Sequence, residues 1–152
     1  MTEVRIVEDC AASAETAWAY VNDYRNLSSF LYGIESFVPV TEQTEGLGAT
    51  FDGDMKLGPA SLKSRIEVVR WEPNRAIGVK SIKGFQVEST FLFYPKGPDL
   101  CTIDAVIDFN TGSGITGKVL GKTIEPFVKI AVKHTTEHLI AQITDVHNSG
   151  RA

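Results

Sequence analysis

From Glu35 to Asn110 apolar and polar residues alternate, and from about Thr116 to about Val146 the apolar residues recur at helical spacing instead. That single switch constrains the fold more than any other feature. The alternating stretch is broken at EGLG, LGPA, EPNR, IKG and KGPD, all turn-forming sequences. The breaks predict about six successive strands, with connections short enough to force antiparallel pairing. Upstream, VRIVEDC alternates as a further strand, with Val4, Ile6 and Cys10 on one face. SAETAWAYVNDY then reads as a helix, with Ser13 as N-cap and Ala17, Val21 and Tyr24 at helical spacing. NLSSFLYG reads as a second short helix closed by Gly33.

The order is strand, two helices, six strands, long helix. It predicts an α+β fold in which a curved antiparallel sheet of about seven strands lays its concave side against the C-terminal helix. The two early helices close one end. Gly117, Gly121 and Pro126 predict a bend or a break in the first half of the long helix. No linker, repeat or low-complexity stretch divides the 152 residues, so residues 1–152 are expected to form one domain. A chain of that size buries roughly 68–70 % of its surface on folding.

Charge excludes some functions. Fifteen basic residues against nineteen acidic ones leave a net charge of −4, which does not suit a protein held on nucleic acid. No apolar run approaches the ~20 residues needed to cross a bilayer. MTEVRIVEDC carries acidic residues where a signal peptide needs basic ones. The two cysteines, Cys10 and Cys101, form no C-x-x-C and are expected to be buried free thiols in a reducing, cytoplasmic setting.

Four stretches in this order resemble the START-like (SRPBCC) superfamily, in particular its bacterial polyketide cyclase/dehydrase and lipid-transport branch. They are ASAETAWAYVNDYRNLSSFL, GLGATF, RIEVVRWEPNRAIGV and GKVLGKTIEPFVKIAVKHTTEHL, and together they cover nearly the whole chain. The resemblance implies a helix-grip fold of the START-like, Bet v type. It also implies an internal apolar cavity for a lipid, polyketide, sterol or quinone-like molecule. It implies no fixed catalytic set, and no catalytic motif is carried over.

Counting by twos gives the inward positions from the residues alone. They are Phe51, Gly53, Met55 and Leu57, then Leu62, Ser64, Ile66 and Val68. Phe85, Val87, Ser89, Phe91 and Phe93 follow, then Cys101, Ile103, Ala105, Ile107 and Phe109, which leaves Asp104 and Asp108 facing water. Small residues at Gly53, Ser64, Ser89 and Ala105 leave room. Glu8 shares the face of Val4, Ile6 and Cys10 and is the one inward acid, a weak catalytic candidate. The alternative is that it reaches solvent or a partner. Trp18 and Trp71 are expected to pack rather than to touch a ligand.

KHTTEH near the end contains H-x-x-E-H, a zinc-peptidase pattern. Taking about 100° per residue, Ile124, Val128, Ala131, Thr135, Leu139, Gln142 and Val146 fall on one stripe facing the sheet. His134 and Glu137 point outward, His138 lies on the flank, and no third ligand follows at a suitable distance. These residues are expected to be a solvated helix face, without metal. Thr135 and Gln142 interrupt the apolar stripe. Each is a candidate anchor for the polar end of an apolar ligand, Thr135 alternatively bonding back along its own helix and Gln142 alternatively reaching out at the edge of the sheet. The expected ligand-binding set is therefore Phe51, Met55, Ser64, Ile66, Ser89, Phe91, Phe93, Ile107, Phe109, Val128, Thr135 and Gln142. Lys118, Lys122, Lys129 and Lys133 form a basic outer face, either simply solvated or suited to transient contact with an anionic membrane.

Three functions compete. A carrier or sensor of a hydrophobic small molecule, without cofactor, fits the scarcity of inward ionisable groups. A cyclase, aromatase or dehydratase could use the same cavity. A protein-interaction module would make the cavity incidental.

Overall fold

The computed structural model describes residues 2–110 and 114–150. Seven antiparallel strands form one curved sheet: β1 (Thr2–Cys10), β2 (Ile34–Pro39), β3 (Thr50–Leu57), β4 (Ala60–Glu72), β5 (Ala76–Gly84), β6 (Gln86–Gly97) and β7 (Leu100–Asn110). Their spatial order is β1-β7-β6-β5-β4-β3-β2. The six later strands are a meander, and β1 pairs with β7, setting Cys10 opposite Cys101 and Glu8 opposite Ile103. Helix α1 (Ala14–Asn22), a 3-10 turn (Tyr24–Asn26) and helix α2 (Leu27–Phe30) follow β1, and helix α3 (Gly114–Ser149) closes the fold. This is the helix-grip arrangement the periodicity predicts.

Local chemistry sets the ends. Ser13 caps α1, its hydroxyl accepting from the Thr16 amide at 3.1 Å. Gly33 does not close α2, which already ends at Phe30 with Leu31 as its cap. Gly33 instead takes φ +79° at the entry to β2, where a side chain would collide with the Lys56 carbonyl. The register of β4 against β5 shifts between Val68 and Arg70. Val68 is therefore buried, Val69 and Arg70 are exposed, and Trp71 turns back to the core side, the local flip a bulge produces. Trp18 and Trp71 meet edge to face at 5.5 Å. Their indole N–H groups donate to the Ala76 carbonyl and the Asn22 side chain, pinning α1 to the β4–β5 hairpin as packing residues.

The long helix is unbroken through Pro126, so the expected break does not occur. Its buried side is not one straight stripe. In the first half Ile124 packs with Leu57, Ala60 and Leu62 of the β3–β4 hairpin. In the second half Leu139 and Ile143 pack with Phe93, Ile103 and residues of α1. From Thr135 to Leu139 to Ile143 each four-residue step turns the buried side by about 40°. Ile143 is consequently fully buried, while Val146, which a straight stripe would bury, is 48 % exposed. The helix keeps contact with a twisted sheet by moving its apolar residues around its axis as it advances.

Asp104 also departs from expectation. It lies on the outer face but is buried, because Arg5 folds over it with two hydrogen bonds of 3.1 and 2.7 Å. Asp108 is half-buried. No helix among the described residues is long and apolar enough to cross a membrane.

Candidate functional site

The concave face is buried at its ends and open in its middle. Phe93, Ile103, Leu57, Leu62, Phe51 and Val68 are buried and belong to three separate apolar clusters. Ser64, Val87, Ser89 and Ile107 are only half-buried, as are Ile66, Val79 and Phe91 at the edges of the clusters, although all face the side that α3 crosses. Strand pairing makes them neighbours: Val79 lies opposite Ser89, Ser89 opposite Ile107, and Val87 opposite Phe109. A band of apolar and small side chains thus runs across the sheet without close cover. The backbone of α3 approaches the sheet chiefly at β1, β3 and β4.

Two contacts clamp α3 at this distance. Gly58, at the tip of the β3–β4 hairpin with φ +58°, faces the ring of Phe127, which fills the place a side chain would take. Thr135 is buried, and its hydroxyl oxygen accepts from the Tyr32 amide at 3.1 Å. It does not bond back along the helix, as Thr123, Thr136 and Thr144 do. That bond uses one of the two lone pairs of the oxygen, and the hydroxyl hydrogen can be donated to an acceptor.

Where β1, β6 and β7 face α3, a cavity of about 20 Å³ remains, lined by Ile6, Glu8, Phe91, Ile103, Ala105, Ile107, Thr135, Thr136, Leu139 and Ile140. Its walls are apolar apart from Glu8 and the two threonines. It holds about one water molecule, so a ligand of ordinary size enters only if α3 or the half-buried side chains move. Of the expected lining residues, Phe91, Ile107 and Thr135 line this cavity. Phe51 and Phe93 are buried in the packed clusters, while Met55, Ser64, Ile66, Ser89, Phe109, Val128 and Gln142 are half-buried. The Ser64 hydroxyl donates to the Phe85 carbonyl at 2.7 Å. Ile6, Thr136 and Ile140 lie outside the expected set, the last two because their position depends on the turning of the buried side along α3.

Glu8 is exposed at the rim. Among the described residues its side chain has no hydrogen-bond or ion-pair partner. One inward step further along β1 and β7, Cys10 and Cys101 are free and buried. The Cys10 thiol is lowered to about 7, first by its hydrogen bond with Cys101, and further by the Thr144 hydroxyl and nearby His147. The same pairing, together with burial, pushes Cys101 up. His147 reaches Asp99 at 2.9 Å and accepts from the Ser13 amide at 3.4 Å, tying the end of α3 to the β6–β7 turn and to α1.

The H-x-x-E-H residues have other company. The His134 ring packs edge to face on Tyr32 at 5.1 Å and stacks on His138 at 3.9 Å, while Glu137 is exposed. No group of three His, Cys, Asp or Glu among the described residues is arranged to hold a metal ion. Lys118, Lys122 and Lys133 are exposed on α3 near exposed Val119 and Ile130; the Lys129 side chain lies outside the described residues. An open polar hollow of about 490 Å³ beside α1 is lined by Ala19, Asn22, Asp23, Tyr24, Arg25, Thr44 and Glu45. Its polar groups pair among themselves, Arg25 with Asp23 and Asn22 with Glu45.

Three solved structures share this architecture. A protein from Thermus thermophilus superposes with a TM-score of 0.78 at 19 % identity, covering 95 % of this chain and 99 % of that one. A START superfamily protein from Mycobacterium smegmatis gives 0.75 at 19 %, covering 95 % and 98 %. An aromatase/cyclase from Streptomyces sp. R1128 gives 0.75 at 12 %, covering 93 % of each. At these identities the likeness shows the fold. By sequence, no curated protein matches the chain, while a family model described as "Polyketide cyclase / dehydrase and lipid transport" matches residues 1–144.

Proposed function

The chain belongs to the polyketide cyclase/dehydrase and lipid transport family, and from that premise we propose that it works as one domain that takes up an apolar small molecule between sheet and α3. The molecule is of the lipid, polyketide, sterol or quinone class. One observation carries the reading: the middle of the concave face is apolar yet only half-buried beneath the helix that crosses it. Side chains in that state gain about 25 cal/mol for each Å² of apolar surface a ligand removes from water. Because the cavity is small, uptake needs α3 or the half-buried side chains to move, and the Gly58–Phe127 and Tyr32–Thr135 contacts are where α3 would part from the rest of the fold.

A panel of fluorescent fatty acids, quinones and polycyclic aromatics tests this. Wild-type protein should bind at least one of them tighter than about 100 μM, a binding free energy of about −5.5 kcal/mol. Ser89→Trp, which fills the band, should abolish that binding while leaving the fold intact by circular dichroism. Binding that survives Ser89→Trp would place the ligand elsewhere.

A cyclase, aromatase or dehydratase reading is favoured by one observation, the position of Glu8 on the cavity lining. An acid there can exchange protons with a bound molecule. Conversion of a bound polyketide that is lost in Glu8→Gln with binding retained would put this reading first.

A further inference from the structure

Glu8 is the one charged residue on the cavity lining, and its surroundings are chemically one-sided. Its strand neighbours on the inward face are Ile6 and Cys10, its pairing partner is Ile103, and Ile140 and Thr136 of α3 line the same cavity. No cation among the described residues pairs with it. Other inward positions of the sheet are apolar, small or hydroxyl-bearing, and the acids Glu3 and Asp9 belong to the outward alternation of the same strand, where Asp9 pairs with Lys96 and Thr102. A carboxylate at the end of an apolar slot accepts hydrogen bonds and attracts positive charge, and it repels a second carboxylate.

We propose that Glu8 selects the polar end of the ligand: the site prefers an apolar molecule ending in an ammonium group over the same skeleton ending in a hydroxyl, and excludes the carboxylic acid. The apolar body lies along Ile6, Phe91, Ile107 and Ile140, with the ammonium at the rim, where it donates to the Glu8 carboxylate and keeps water on its open side. This rests on the uptake reading above and adds the ligand's chemical class. The apolar band would accept many skeletons, and Glu8 would discriminate among their end groups.

The experiment uses three probes with one skeleton: decylamine, decanol and decanoic acid. Each is titrated below its micelle concentration at pH 7.5 by isothermal calorimetry. Wild type should bind decylamine about tenfold tighter than decanol, the size of one charge-assisted hydrogen bond beside apolar walls, and decanoic acid more weakly than either. Glu8→Gln should bring amine and alcohol within about twofold and restore binding of the acid. Glu3→Gln removes the same charge from the outward face and should leave the wild-type order unchanged, which separates a local contact from the chain's net negative charge. Equal binding of the three probes to wild type, or an amine preference that persists in Glu8→Gln, overturns the selection while leaving uptake standing. If none of the three binds and the fluorescent panel also fails, both proposals fall.

Discussion

Gly58 holds a left-handed φ of +58° at the tip of the β3–β4 hairpin, and the Phe127 ring occupies the space above its α-carbon. Alanine there meets both the strained backbone and the ring, so Gly58→Ala should destabilise the protein by about 1–3 kcal/mol in urea unfolding. Gly97→Ala is the contrast, because nothing lies within 4 Å of the added carbon; it should stay within about 0.5 kcal/mol of wild type. Tyr20 gives a pH dependence. Burial raises its phenol above the ordinary 10.0, so the folded chain keeps a proton that the unfolded chain releases. Its contribution is whole below about pH 10 and falls as pH rises toward the higher folded value. Urea midpoints from pH 9 upward should therefore fall more steeply in wild type than in Tyr20→Phe, and parallel curves would rule this out.

Among the elements, α3 separates what sequence pattern reveals from what it hides. The helical period after Asn110 is strong enough to place the helix, and Pro126 does not interrupt it. The face it buries is less legible. A straight stripe takes in Gln142 and Val146, whereas the structure buries Ile143 completely and leaves Val146 exposed. The turning follows from the twist of the sheet beneath and the docking of α1 at one end, neither of which leaves a mark in the helix's own letters. Ile143→Ala should accordingly cost about 2–5 kcal/mol, and Val146→Ala less than about 0.5 kcal/mol. Comparable losses in the two variants would restore the straight stripe. The strands are easier to read, since period two with turn residues at Gly58–Pro59 and Pro73–Asn74 fixes which side chains share a face. Asp104 escapes that reading because its burial depends on Arg5 from the neighbouring strand.

At the scale of the molecule, the sheet's curvature and the length of α3 together leave the centre of the concave face short of cover. The alternation of the strands identifies which residues face that space. How far α3 stands from the sheet is set by single contacts, Phe127 on Gly58 and the Tyr32 amide on Thr135, and these pair residues distant in sequence. The cavity is accordingly smaller than the inward residues suggest, and the proposed uptake needs α3 or the half-buried side chains to move. Methyl-labelled isoleucine resonances followed by NMR during titration with a probe from the fluorescent panel test that claim most directly. Shifts are expected at Ile66, Ile107 and Ile140, which face the band and cavity, with Ile82 and Ile130 on the exposed surface unmoved. Shifts confined to Ile82 and Ile130, or none at saturating probe, would contradict it.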